Sequence, residues 1–276
     1  MPWTLSDAKT QQELEQTFEG DGVAFDTVGF YDEPNFLARE RQDPRYLELY
    51  ARYVESKAYN DDYLIAATRK IGVAAEALRD AIERDGRQGA CVDASGMLGR
   101  MLDKLGIWNY VAMATLTIEF PHGSGLSPRY FWTFDQGEFA APHAVVVAPP
   151  YYVVDVTVKH QPYDARRARL IPPLILADTF KSGKWRPEDL ANHDLLGELR
   201  QRGISFNDFL IRQNPGMASL LGKLPVRTVW FKGTSLKYAI VAVGGSIEPL
   251  EENTGYKPGV RTAQQIFDED VLPQIT

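Results

Sequence analysis

The feature that most constrains this chain is a single change of hydrophobic period between Gly86 and Val158. After the breaker cluster Asp85-Gly86-Arg87-Gln88-Gly89, the apolar residues Ala94, Met97, Leu98, Met101, Leu102 and Leu105 recur at helical spacing, and Gly106 fits a helix C-terminus. The runs Tyr110 to Phe120, Tyr130 to Phe134, His143 to Ala148 and Tyr152 to Val158 are then rich in Val, Thr, Ile and aromatics, so the pattern predicts four strands. A helix that gives way to a set of strands belongs to an α+β fold.

The flanks add elements without adding a boundary. A helix is expected from Ser6 to about Phe18, with Ser6 or Asp7 as its cap. A second opens at Asp43-Pro44 and runs to about Lys57, and a third opens at Asp61 or Asp62 and runs to Arg84. Residues 1–85 therefore read as a helical N-terminal part and 86–158 as the core that carries the chemistry. Residues 159–276 read as a mixed α/β extension, with a helix over Arg186 to Arg202, a hairpin from Arg227 to Lys232 and Leu236 to Val243, and a helix over Thr262 to Asp270. No linker-like stretch divides them, so the expectation is one domain over 1–276.

Composition narrows the function. An excess of Asp and Glu (37) over Lys and Arg (30) gives a net charge of -7, which repels a polyphosphate backbone and argues against nucleic acid as a partner. No apolar run is long enough to cross a bilayer and the first residues lack a basic leader with an apolar segment, so a cytoplasmic protein without a membrane partner is expected. The one cysteine, Cys91, excludes an intrachain disulfide and a multi-cysteine zinc site; it is either a packed thiol or a chemically used one.

Context favours the second. Cys91 stands where a glycine-bearing loop enters a helix, so its sulfur is expected near unpaired N–H groups and the positive end of the helix dipole, which favour thiolate. The Cys91 N–H, with Gln88 as a second donor, is a candidate oxyanion hole. His143 opens the apolar run Ala144-Val145-Val146-Val147-Ala148 and is the candidate base. Asp155 is flanked by Tyr152-Val153-Val154 and Val156-Thr157-Val158, where an unpartnered carboxylate is costly to bury, and His143 is its natural partner. Asp135 and Glu138 are competing partners, but their Gly137-containing segment reads as a loop. His122, His160 and His193 have polar surroundings, and no pair of histidines has metal-ligand spacing, so neither a metal nor another cofactor is expected.

Strand parity makes the pairing testable. His143, Val145 and Val147 share one face of their strand, as do Val153, Asp155 and Thr157 of the next. A three-residue loop, Ala148 to Pro150 or Pro149 to Tyr151, brings Asp155 opposite or diagonal to His143; a two-residue loop at Pro149-Pro150 puts them on opposite faces.

Gly89-Ala90-Cys91 leading into a helix that ends Leu105-Gly106-Ile107, then His143 on one strand and Asp155-Val156-Thr157 on the next, resembles the transglutaminase-like superfamily over about Gly86 to Val158. The resemblance implies a papain-like core, a cysteine helix packed on an antiparallel sheet bearing His and Asp, with Cys91, His143 and Asp155 as the triad. It also implies amide chemistry through a thioester acyl-enzyme (peptidase, amidase or deamidase, transglutaminase) on a protein, peptide or small amide substrate. Arg87-Gln88-Gly89-Ala90-Cys91-Val92-Asp93 is similar to the Arg-Gly-Gly-x-Cys-x-Glu signature of arylamine N-acetyltransferases, which makes acetyl-coenzyme A-dependent acetyl transfer the alternative. A transglutaminase-like binding module with an idle site is a third. Hydrolysis versus transfer and the oligomeric state stay open at this point.

Overall fold

In a computed structural model the chain is described over residues 3–135, 142–244 and 248–275, and it combines helices with one curled antiparallel sheet. The N-terminal part holds α1 (Ala8–Gly20), α2 (Pro34–Gln42), α3 (Leu47–Ser56) and α4 (Asp61–Asp85), and α5 (Cys91–Lys104) follows. Asp7 caps α1 by accepting from the N–H groups of Lys9 and Thr10, and Gly86 ends α4 in the left-handed conformation at φ 72°. The Asp43-Pro44 opening forms a 3-10 turn before α3, and α2 was not anticipated, because its buried contribution is Phe36 alone.

The strands are β1 (Tyr110–Glu119), β2 (Arg129–Phe131), β3 (His143–Ala148), β4 (Tyr151–Asp155), β5 (Ile175–Ala177), β6 (Lys181–Gly183), β7 (Val226–Phe231) and β8 (Thr234–Gly244). They run in the order β5-β4-β3-β1-β8-β7-β6, with β2 added to β1. The third expected strand keeps its bounds, whereas Tyr130 to Phe134 yields only the short β2 and Val156 to Val158 leave the sheet after β4. The expected helix over Arg186 to Arg202 is split in two, Pro187–Leu190 and His193–Gln201, with Ala191 extended between them.

The C-terminal third is not appended to a finished core. Strand β8 pairs along β1 from Val111↔Gly244 to Glu119↔Ser235, so the sheet is completed only when residues far apart in sequence meet. The sheet buries both faces, which explains why β3 is buried at every position. On the inner face Tyr110, Ala112, Ala114, Leu116, Val145, Val147, Val153 and Tyr238 pack with the aromatics of α1 and α3. On the outer face Val111, Val146, Ala148 and Val154 meet α4 and α5, while Ala239 and Val241 meet the helices between 187 and 221. Among the described residues no helix is long and apolar enough to cross a membrane.

Candidate active site

Alternation along the paired strands brings the polar residues of the inner face together. Strand β1 shares one edge between β3 and β2: Ala114 pairs with His143 and Leu116 with Phe131, while on its other edge Leu116 pairs with Tyr238. Val146 pairs with Val154, so Val153 and Asp155 face the same side as Val145 and His143. His143, Asp155, Phe131 and Tyr238 thus surround one point of the inner face.

The turn behaves differently from the parity argument. Ala148 pairs with Tyr151 across the two-residue loop Pro149-Pro150, the geometry expected to separate His143 from Asp155. A bulge between Val146 and Ala148 places one extra residue on β4 and shifts the register by one, which returns Asp155 to the face of His143, diagonal to it. The correction is specific: a loop length fixes parity only where the ladder that follows is regular.

The His143 ring donates from Nε2 to Asp155 Oδ2 at 2.6 Å. The same oxygen accepts from the Tyr238 hydroxyl at 3.0 Å, and Oδ1 accepts from the Thr157 N–H at 3.0 Å and its hydroxyl at 3.3 Å. Both His143 and Asp155 are 1% exposed, so these four donors replace the water that the carboxylate has lost. The remaining ring nitrogen, Nδ1, is buried and has no hydrogen-bond partner among the described residues. The thiol of Cys91, the first residue of α5, is close enough to the imidazole to interact with it electrostatically.

Electrostatics favours a charged pair. For Cys91 burial is the largest influence and opposes ionisation, but the His143 ring and the N–H of Ala144 outweigh it, and the thiol ionises below its ordinary value. For His143 burial again opposes the charge, while the charge and hydrogen bond of Asp155, helped by Cys91, push its pKa up to about 10. Both shifts run toward thiolate beside imidazolium and away from the neutral pair. Helix α5 contributes as well: its N-cap is Ala90, which has no side-chain cap, so its first N–H groups keep their full dipole beside the sulfur.

The loop before Cys91 is held by Gly89, whose left-handed φ of 74° lets its N–H donate to the His160 carbonyl at 2.9 Å. Gln88 is exposed on that loop, and Arg87 and Asp93 form an exposed ion pair at 3.6 Å. Asp135 accepts from Asn192 and not from His143, while Gly137 and Glu138 lie outside the described residues. His122 and His193 are exposed as expected, but His160 is half-buried and serves the loop through its backbone.

Sequence reasoning missed Tyr238 and Phe131 as neighbours of the pair. Phe131 lies 5.9 Å from the His143 ring, centroid to centroid. Both fall in runs that the sequence assigns to strands, and only the register of β1 with β2 and β8 turns them toward the imidazole. Access is restricted, since Cys91 is 6% exposed. Two cavities among the described residues are lined elsewhere, one by Tyr50, Arg100, Asn109 and Val243, another by Ile175, Phe180, Trp230 and Leu236. No family model matches the chain, and neither a curated protein nor a solved structure shows significant similarity to it.

Proposed function

We propose that this chain is a cysteine-dependent acyl-transfer enzyme acting on amide bonds, with Cys91 as nucleophile, His143 as acid and base, and Asp155 as the group that orients the imidazole. One observation carries the reading: a fully buried imidazole is fixed through Nε2 by a carboxylate, and its other nitrogen is left for the only thiol of the chain. Cysteine at a helix start, histidine on a strand and aspartate on the neighbouring strand resemble the transglutaminase-like, papain-like arrangement, which supports the same reading.

The chemistry follows from the protonation states. The Cys91 thiolate attacks the carbonyl carbon, and the carbonyl electron pair moves onto oxygen near the Cys91 N–H. As the C–N bond breaks, the imidazolium of His143 gives its proton to the departing amine and a thioester remains. Water or an amine, deprotonated by His143, then resolves the thioester and restores the thiolate. Asp155 keeps the ring in the tautomer whose free nitrogen meets sulfur and stabilises its charge, without itself taking the proton.

Restricted access favours a second reading, a binding module with an idle site, and thiol reactivity separates the two. Alkylation by iodoacetamide at pH 6 is expected to run faster than for free cysteine and to slow in His143→Ala. Slow labelling indifferent to His143→Ala would sink the enzyme. Release of ammonia from glutamine peptides, without an acetyl adduct after exposure to acetyl-coenzyme A, is the outcome expected for amide chemistry; an adduct identifies the acetyltransferase alternative.

A further inference from the structure

Tyr163 carries a polar atom that the fold leaves unused. Its ring is only partly buried, but the hydroxyl oxygen is buried and has no hydrogen-bond partner among the described residues. A buried hydroxyl without a partner costs stability, and an acceptor brought by a ligand would satisfy it.

The surrounding bonds hold this residue at the site. The segment that leaves β4 is tied to the carboxylate through Thr157, whose N–H and hydroxyl both donate to Asp155. Gln161 donates from Nε2 to the Thr157 carbonyl at 3.2 Å, and the Tyr163 N–H donates to the Gln161 carbonyl at 2.8 Å. Midway, the His160 carbonyl accepts from Gly89 at 2.9 Å, so the same segment is fastened to the loop that presents the thiol. The ring of Phe131 contacts both aromatic groups, 6.2 Å from Tyr163 and nearly perpendicular to it, and 5.9 Å from His143. Burial foremost, then the charge of Asp155, opposed by Arg129 and reinforced by Cys91, raises the phenol well above its ordinary pKa, so near neutrality it is a neutral donor.

We infer that the Tyr163 hydroxyl is the side-chain donor to the acyl oxygen of the substrate, sharing with the Cys91 N–H the negative charge that forms when sulfur attacks. This rests on the proposed role of Cys91 and supplies what the exposed Gln88 was expected to supply. During attack the S–C bond forms and the carbonyl π pair becomes an oxyanion lone pair. Tyr163 keeps its proton throughout and contributes a hydrogen bond that shortens as the charge develops.

The test compares two reagents on wild type and Tyr163→Phe. Acylation of Cys91 by p-nitrophenyl acetate passes through an oxyanion and is read by nitrophenolate release; alkylation by iodoacetamide occurs at a saturated carbon and has none. The variant is expected to acylate about 100-fold more slowly and to alkylate at the wild-type rate, with an unfolding midpoint no lower than wild type because an unpaired hydroxyl has been removed. Acylation within about twofold of wild type, on a thiol that alkylates fast, overturns the donor role alone. Equal slowing with both reagents also overturns it, since Tyr163 would then act on the thiol itself. A wild-type thiol no more reactive than free cysteine toward either reagent sinks the proposed function instead.

Discussion

The Tyr238 hydroxyl donates to Asp155 Oδ2 at 3.0 Å across 83 residues of sequence, and that oxygen also holds the His143 ring. The orientation of the imidazole therefore depends on a strand from the C-terminal third of the chain. Tyr238→Phe leaves the carboxylate buried with one donor fewer, and it should lower stability by about 1–3 kcal/mol in urea unfolding. Iodoacetamide labelling of Cys91 should slow in parallel, because a less firmly held carboxylate supports the imidazolium less well. Unchanged stability and labelling would show that the bond does not position the pair.

The raised pKa of His143 makes stability depend on pH with a definite sign. Its folded value of about 10 lies above the ordinary 6.5, so the native state binds the proton more tightly than the unfolded chain. The stabilisation is complete below pH 6.5 and is lost as pH rises toward 10. The Cys91 thiol, which ionises below its ordinary value in the fold, contributes with the opposite sign. The His143 slope is therefore read in Cys91→Ser, where thermal unfolding midpoints across that interval should fall. Adding Asp155→Asn, which removes the charge that holds the proton, should flatten the slope; an equally steep decline in that double variant would refute the assignment.

A second buried ion pair predicts a contrast between single and double variants. Arg227 donates to Glu55 and, at 2.6 Å, to the Tyr152 carbonyl, and Tyr110 donates to the same Glu55, all in the interior. Arg227→Met strands Glu55 as a buried charge and should cost about 3–5 kcal/mol. Adding Glu55→Met should recover a large part of that loss, measurable by a double-variant cycle in denaturant. A double variant no more stable than Arg227→Met would show that the carboxylate is not the source of the penalty.

The loop before the thiol has a backbone requirement separable from packing. At Gly89 an added Cβ meets nothing within 4 Å, but the left-handed φ of 74° disfavours an L side chain. Gly89→Ala should therefore lose about 1–2 kcal/mol, and Gly89→Asn less, because asparagine tolerates this conformation better. Equal losses would point to a contact and not to the backbone.

Much of the fold was legible because its signals are local. The helical spacing from Ala94 to Leu105, the capping Asp7, the stop at Gly86 and the β-branched run of β3 each depend on neighbours a few residues away. The candidate triad was legible for a related reason: a histidine and an aspartate embedded in apolar strands are expensive to bury alone, so their positions announce partners. The short strands β5 and β6 escaped notice, since three residues carry too little periodicity to register. Helix α2 escaped because its sequence is mostly polar.

What the sequence determined by itself is the chemistry available: one thiol at a helix start, one imidazole and one carboxylate at strand positions, with propensities that build α5, β3 and β4 around them. Only the tertiary structure decided that these groups meet. The bulge after Val146 reverses the parity that the Pro149-Pro150 turn would impose, and the pairing of β8 with β1 brings Tyr238 to the carboxylate. Both depend on register between strands, which is set by the best fit of whole faces to the core and by contacts distant in sequence, and therefore leaves no signature in either strand read alone.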